Sequence, residues 1–160
     1  MLDREIAHLQ RTEVLAAMER EALRLLAFGT ERRLLRAREP LFEAGDAATG
    51  AYLVVAGEVL LRAPDGRELR LGPGALVGES ALFAPSTRTA SARTLTDCTV
   101  LFLSRALMRR VLAEFPNSAL RVRAVLARRL RGTLEGLAKV APLFGDAEPA
   151  APAAEPAPDA

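Results

Sequence analysis

Residues 77–92 read VGESALFAPSTRTASA. Val77, Gly78 and Glu79 close a loop punctuated by glycine and proline. Ser80 to Phe83 suit one helical turn, and Arg88 follows a small polar loop just ahead of a Thr- and Ala-rich run. The first turn of a helix offers backbone N–H groups without intrahelical partners, and a positive dipole end, so it welcomes an anion. Arg88 adds a planar, permanently charged, two-pronged donor suited to phosphate. Glu79 repels a phosphate, but beside one its carboxylate can accept from sugar hydroxyls. Gly78 leaves the backbone open at the point of approach, where a Cβ would crowd phosphate or ribose. Phosphate and ribose together describe a nucleotide.

The order and spacing here are Gly78-Glu79-x-Ala81-Leu82, five residues, then Arg88-Thr89-Ala90-x-Ala92. This pattern resembles the phosphate-binding cassette of cyclic nucleotide-binding domains, shared by catabolite activator proteins, regulatory subunits of cyclic-nucleotide-dependent kinases and gated channels. A second block, LFEAGDAATGAYLVVAGEV from Leu41 to Val59, is similar to the glycine-marked β region of the same family. The resemblance covers roughly residues 10–140. It implies an α+β, mainly β fold: a jelly-roll barrel flanked by N-terminal helices and two C-terminal helices. It also implies that Arg88 grips a cyclic phosphate, assisted by backbone N–H groups near Ser80, Ala81 and Thr89, while Glu79 accepts from the ribose 2′-hydroxyl. Thr89 stands where relatives face the base, and a hydroxyl there can bond the guanine 2-amino group. The phrase Thr87-Arg88-Thr89-Ala90 resembles the cGMP-dependent kinases, yet channel domains with similar residues also take cAMP. We expect cAMP over cGMP, since cAMP is the commoner bacterial messenger and the Ala, Arg and Leu content looks bacterial. Two positions depart from the pattern: Ser80 replaces an aliphatic residue, and Ala51 stands where a larger one is usual.

Outward from the cassette, breakers at Gly45-Asp46, Gly57, Pro64-Asp65-Gly66 and Gly72-Pro73-Gly74 separate short apolar runs. Strands are predicted at 33–37, 40–43, 51–56, 58–63, 67–71, 91–94 and 99–103, the texture of a sandwich or jelly roll. Pro64-Asp65-Gly66 is the clearest hairpin turn. Upstream, Leu2 to Phe28 has helical spacing, with Thr12 placed to cap a restart and Gly29 to stop it.

Downstream, Ser104 reads as the cap of a helix to Phe115. Pro116 and Asn117 interrupt, and a longer helix follows to about Val140. Leu120, Ala127, Leu130, Leu134, Leu137 and Ala141 lie near a seven-residue stripe on it, with Val122, Val125 and Leu126 beside them. Such a face packs on its own domain, on the equivalent helix of a second copy in a homodimer, or over a bound ligand as a lid. The longer helix carries no aromatic residue to stack on a base, so a lid would be aliphatic, formed by Leu134 and Leu137. Gly132 and Gly136 weaken the helix where it would bend.

The domain is expected to span 1–141, with helices over 2–28, the β roll over 31–103 and C-terminal helices over 104–140. The Ala/Pro-rich acidic stretch 142–160 is expected to be a disordered tail. Half of the 160 residues are hydrophobic and 4% aromatic, as suits one soluble domain. The net charge is only +2, although 105–139 is rich in Arg and carries Glu114 and Glu135 as its acids. A solvated helix face is the first reading of that charge and nucleic-acid binding a weaker one. One histidine, His8, and one cysteine, Cys98, form neither a metal site nor a catalytic triad. Cys98 reads as a half-buried hydrophobe in a turn. These features point away from catalysis. Without a leader or an apolar run of about 20 residues, the chain is expected to be cytoplasmic with no membrane partner. The 20 or so residues past Val140 leave no room for a DNA-reading helix-turn-helix, so direct DNA binding is not expected.

Two functions follow. One is a sensor that binds cyclic nucleotide and moves its C-terminal helix to control an unidentified protein partner. The other is a protein-interaction subunit that keeps the fold without the ligand.

Overall fold

The computed structural model describes residues 2–136. The helical spacing of the first 29 residues resolves into three helices, α1 (Leu2–Leu9), α2 (Glu13–Ala16) and α3 (Arg20–Gly29). Thr12 sits at the N-cap position of α2, yet its hydroxyl donates back to the Leu9 carbonyl (3.1 Å) instead of capping the new helix. Gly29 ends α3, as its position after the apolar face predicts. The apolar residues Ile6, Leu9, Val14, Leu15, Leu23 and Leu26 are all buried.

Ten strands follow among the described residues: β1 (Glu31–Leu35), β2 (Pro40–Phe42), β3 (Ala47–Ala48), β4 (Gly50–Ala56), β5 (Val59–Arg62), β6 (Glu68–Leu71), β7 (Leu76–Val77), β8 (Ser86–Thr87), β9 (Ser91–Thr94) and β10 (Cys98–Ser104). One antiparallel sheet has the order β1-β10-β4-β7 and a second β2-β9-β5-β6, while β3 and β8 form a small ladder. The expected β roll with flanking helices is present, but the sheets face one another as an open roll and do not close into a barrel. Helices also claim more of the described residues than strands do.

β4 and β10 decide where everything sits. Side chains alternate across a strand, so Ala51 and Leu53, with Leu101 and Leu103, join the helical core. Tyr52 and Val54, with Cys98 and Val100, join the core between the sheets. These central strands are therefore covered on both faces. The small Ala51 fits this arrangement: it is fully buried among the helical side chains. Cys98 is the first residue of β10 and lies buried, not in a turn, and burial pushes its thiol pKa up.

Two helices close the described chain, α4 (Arg105–Glu114) and α5 (Pro116–Gly136). Ser104 caps α4 as predicted, its hydroxyl accepting from the Leu107 N–H (3.1 Å). α5 starts at Pro116, where the missing N–H costs nothing, and it runs unbroken through Gly132. The face of α5 that packs is the one carrying Val122 and Val125, both buried. The predicted stripe points elsewhere, since Leu120 is 61% and Leu130 37% exposed. Fully buried Ser118 anchors the helix by accepting from the Glu19 N–H (2.8 Å). The side chain of Leu134, all of Leu137 and the tail from Pro142 lie outside the described residues.

Candidate functional site

Gly78 opens the cassette with a φ of +82°, a conformation that a glycine adopts without strain. It leads into a 3-10 turn, Glu79–Leu82, where a short helical turn was expected. The turn packs on β4 and α4 with Ala81 and Leu82 buried. The Ala81 N–H, expected to assist phosphate binding, donates to the Gly78 carbonyl (3.0 Å) within the turn. Ser80 is half-buried, its carbonyl accepting from the Phe83 N–H (3.2 Å). Arg105, a residue that no sequence pattern singled out, pins the turn from the start of α4. Its Nη1 donates to the carbonyls of Ala48 (2.9 Å) and Ala81 (3.0 Å).

Arg88 follows β8 and is held by its backbone against the 45–46 turn, donating to the Asp46 carbonyl and accepting from the Gly45 N–H, both at 2.8 Å. The residue is only 5% exposed. Nη2 donates to the Gly50 carbonyl (2.7 Å), and the guanidinium carbon stands 4.1 Å from the centre of the Phe42 ring and 5.9 Å from that of Tyr52. Such stacking is worth roughly 0.5 to 2 kcal/mol, more where water is excluded. Phe42 and Tyr52 belong to the core between the sheets, so the cation covers one end of that core. A Cβ at Gly78 would stand 2.1 Å from Arg88 Nη1. The glycine therefore makes room for the arginine itself, which brings the guanidinium beside the residue preceding Glu79. Thr89 lies next in the chain with its side chain exposed.

Glu79 is buried, and the cation it meets is Arg129 of α5, whose Nη1 donates to Glu79 Oε1 (2.8 Å). The same guanidinium reaches Glu13 at the start of α2 through Nε (3.0 Å) and Nη2 (2.9 Å). Burial pushes the Glu79 pKa up. Arg129 pulls against that without cancelling it, and Glu13 adds a further push upward. Arg129 was missed because its partners are distant in sequence. Its signal was its place on the buried face of α5: Val122, Val125 and Arg129 fall at helical steps of three and four, and a charge on such a face needs a partner.

The six cassette residues thus lie on two adjoining segments, with Arg88 against Gly78 and Glu79 turned toward α5. Among the described residues no helix is long and apolar enough to cross a membrane. The sequence pattern of the family described as cyclic nucleotide-binding domain matches residues 32–115. A CRP-like cAMP-activated global transcriptional regulator of Mycobacterium tuberculosis is 38% identical over 103 residues, covering 61% of this chain and 46% of its own. The cyclic AMP receptor protein of Thermus thermophilus is 39% identical over 106 residues, covering 63% and 49%. The chain spans about half the length of these curated relatives. Among solved structures, the N-terminal domain of a transcriptional regulator from Streptomyces coelicolor superposes with a TM-score of 0.72 at 34% identity, covering 81% of this chain and 94% of that one. On this match the chain belongs to the cyclic nucleotide-binding domain family.

Proposed function

We propose that the protein is a cyclic nucleotide sensor, taking cAMP in preference to cGMP, whose last helix responds to the ligand and so controls a protein partner. Gly78, Glu79, Ser80, Ala81, Arg88 and Thr89 form the site, within a domain spanning 1–141. Arg88 binds the cyclic phosphate and Glu79 the ribose hydroxyl; no catalytic step is assigned. The observation that carries this reading is the setting of Arg88. An arginine 5% exposed, stacked on Phe42 and seated against the glycine that precedes Glu79, is a pre-organised cation. The names of the two curated relatives support cAMP. The link from Glu79 to α5 through Arg129 supports a response of that helix, because a ligand that engages Glu79 acts on a contact α5 already makes. The exposed Leu120 and Leu130 on α5 support a homodimer through this helix.

A second reading, a protein-interaction subunit without ligand, draws on the fact that Glu79 already has Arg129 as its partner. Isothermal titration separates the two. The wild type should give micromolar heats with cAMP and weaker ones with cGMP. A charge-assisted bond contributes roughly 1.5 to 3 kcal/mol net, so Arg88→Ala should bind about tenfold more weakly or worse. Arg88→Lys keeps the charge but loses the fork and should also be clearly impaired. Wild-type protein that gives no heat with either nucleotide leaves the interaction subunit as the function.

A further inference from the structure

Arg129 offers three N–H vectors to two carboxylates that come from different parts of the fold. Nε and Nη2 converge on Glu13 Oε1, and Nη1 meets Glu79 Oε1. The Arg129 side chain is 15% exposed and that of Glu13 60%. One end of the link is thus shielded from water and the other is open to it. α2, which carries Glu13, has four residues and an N-cap that makes no side-chain capping bond. Its position therefore depends on tertiary contacts: buried Val14 and Leu15 below, and this ion pair to α5. Held from the Glu13 side, Arg129 fixes Glu79 through Oε1, the oxygen it meets. Without Glu13 the guanidinium keeps one carboxylate anchor, through Nη1 to Glu79, and loses the two contacts that set the orientation of its plane.

We propose that Glu13 is a positioning residue of the nucleotide site: it orients Arg129 on Glu79, and so couples ligand binding to the docking of α2 on α5. The inference rests on the nucleotide reading above and extends the site to a residue of the N-terminal helices. Coupling of this type is reciprocal: whatever Glu13 adds to nucleotide binding, the nucleotide adds to the α2 contact.

The test is cAMP titration of the full chain as wild type, Glu13→Gln, Glu13→Asp and Arg129→Met, with hydrogen exchange of residues 12–18 followed in parallel. Glu13 is exposed, so Glu13→Gln opens no cavity, and a thermal melt checks its folding. Glu13→Gln should bind cAMP about fivefold more weakly or worse, in the range usual for coupled sites. Glu13→Asp should recover part of the loss, and Glu13→Gln should have no further effect in an Arg129→Met background. Added cAMP should slow exchange over 12–18 in the wild type and leave it unchanged in Glu13→Gln. Equal cAMP affinity of wild type and Glu13→Gln, with the same exchange response, overturns the proposal and leaves the nucleotide reading intact. Absence of cAMP binding by the wild type removes the nucleotide reading and this inference with it.

Discussion

Glu79 is a carboxylate that the fold keeps largely out of water, and its net displacement is upward from an ordinary value near 4.5 because burial outweighs Arg129. The sign of the stability effect follows. Between the ordinary and the raised value the folded chain holds a proton that the unfolded chain has released. Glu79 thus contributes most below the ordinary value, and that contribution is lost as pH rises through the raised one. In urea melts from neutral pH downward, the stability of the wild type relative to Glu79→Gln should grow on acidification and level off below about pH 4.5. A difference that does not change with pH would mean that Arg129 fully offsets the cost of burial. At this same scale Arg88, Gly78 and Glu79 were legible because their residue types and spacing are local. Phe42, Arg129 and Glu13 were not, because what they do depends on which distant residue each one meets.

Single elements were legible where a local rule governs them. Ser91 to Thr94 is a strand with the bounds its pattern predicts, Pro64-Asp65-Gly66 turns between β5 and β6, and Ser104 caps α4. The two-residue strands β3, β7 and β8 escaped prediction, since two residues carry no period and exist only through their partners. The restart at Thr12 was legible, since Thr12 holds the N-cap position of α2, but the break at residues 17–19 comes without glycine or proline, where tertiary packing decides the ends. The exposed stripe of α5 shows the reverse case: periodicity found an apolar face, but it did not say which of two neighbouring faces the domain would cover. The cap of α4 can be tested directly. Ser104→Ala removes the acceptor of the Leu107 N–H and should cost about 0.5 to 2 kcal/mol in chemical denaturation. Because α4 also carries Arg105, which holds the cassette turn, cAMP affinity should fall along with stability. Lost stability with unchanged affinity would separate the cap from the site.

For the whole molecule, the consequence lies in the central sheet that serves two cores. Leu101 faces the helices and Val100 the second sheet from adjacent positions on β10, so the chain cannot lose one core without exposing a face of the other. Unfolding should therefore be a single cooperative step. The composition supplies the means to see it. Tyr52 is the only tyrosine and there is no tryptophan, so tyrosine fluorescence reports the core between the sheets, while far-UV circular dichroism is dominated by the helices. The two signals should give coincident denaturant transitions. Leu101→Ala, which opens space on the helical side, should cost about 2 to 5 kcal/mol and move both transitions together. If it moved the dichroism transition while leaving tyrosine fluorescence in place, the helices and the β roll would be separate folding units. A ligand signal from Glu79 to α5 would then have to cross a boundary between them; coincident shifts mean that the cassette, both sheets and α5 respond as one body.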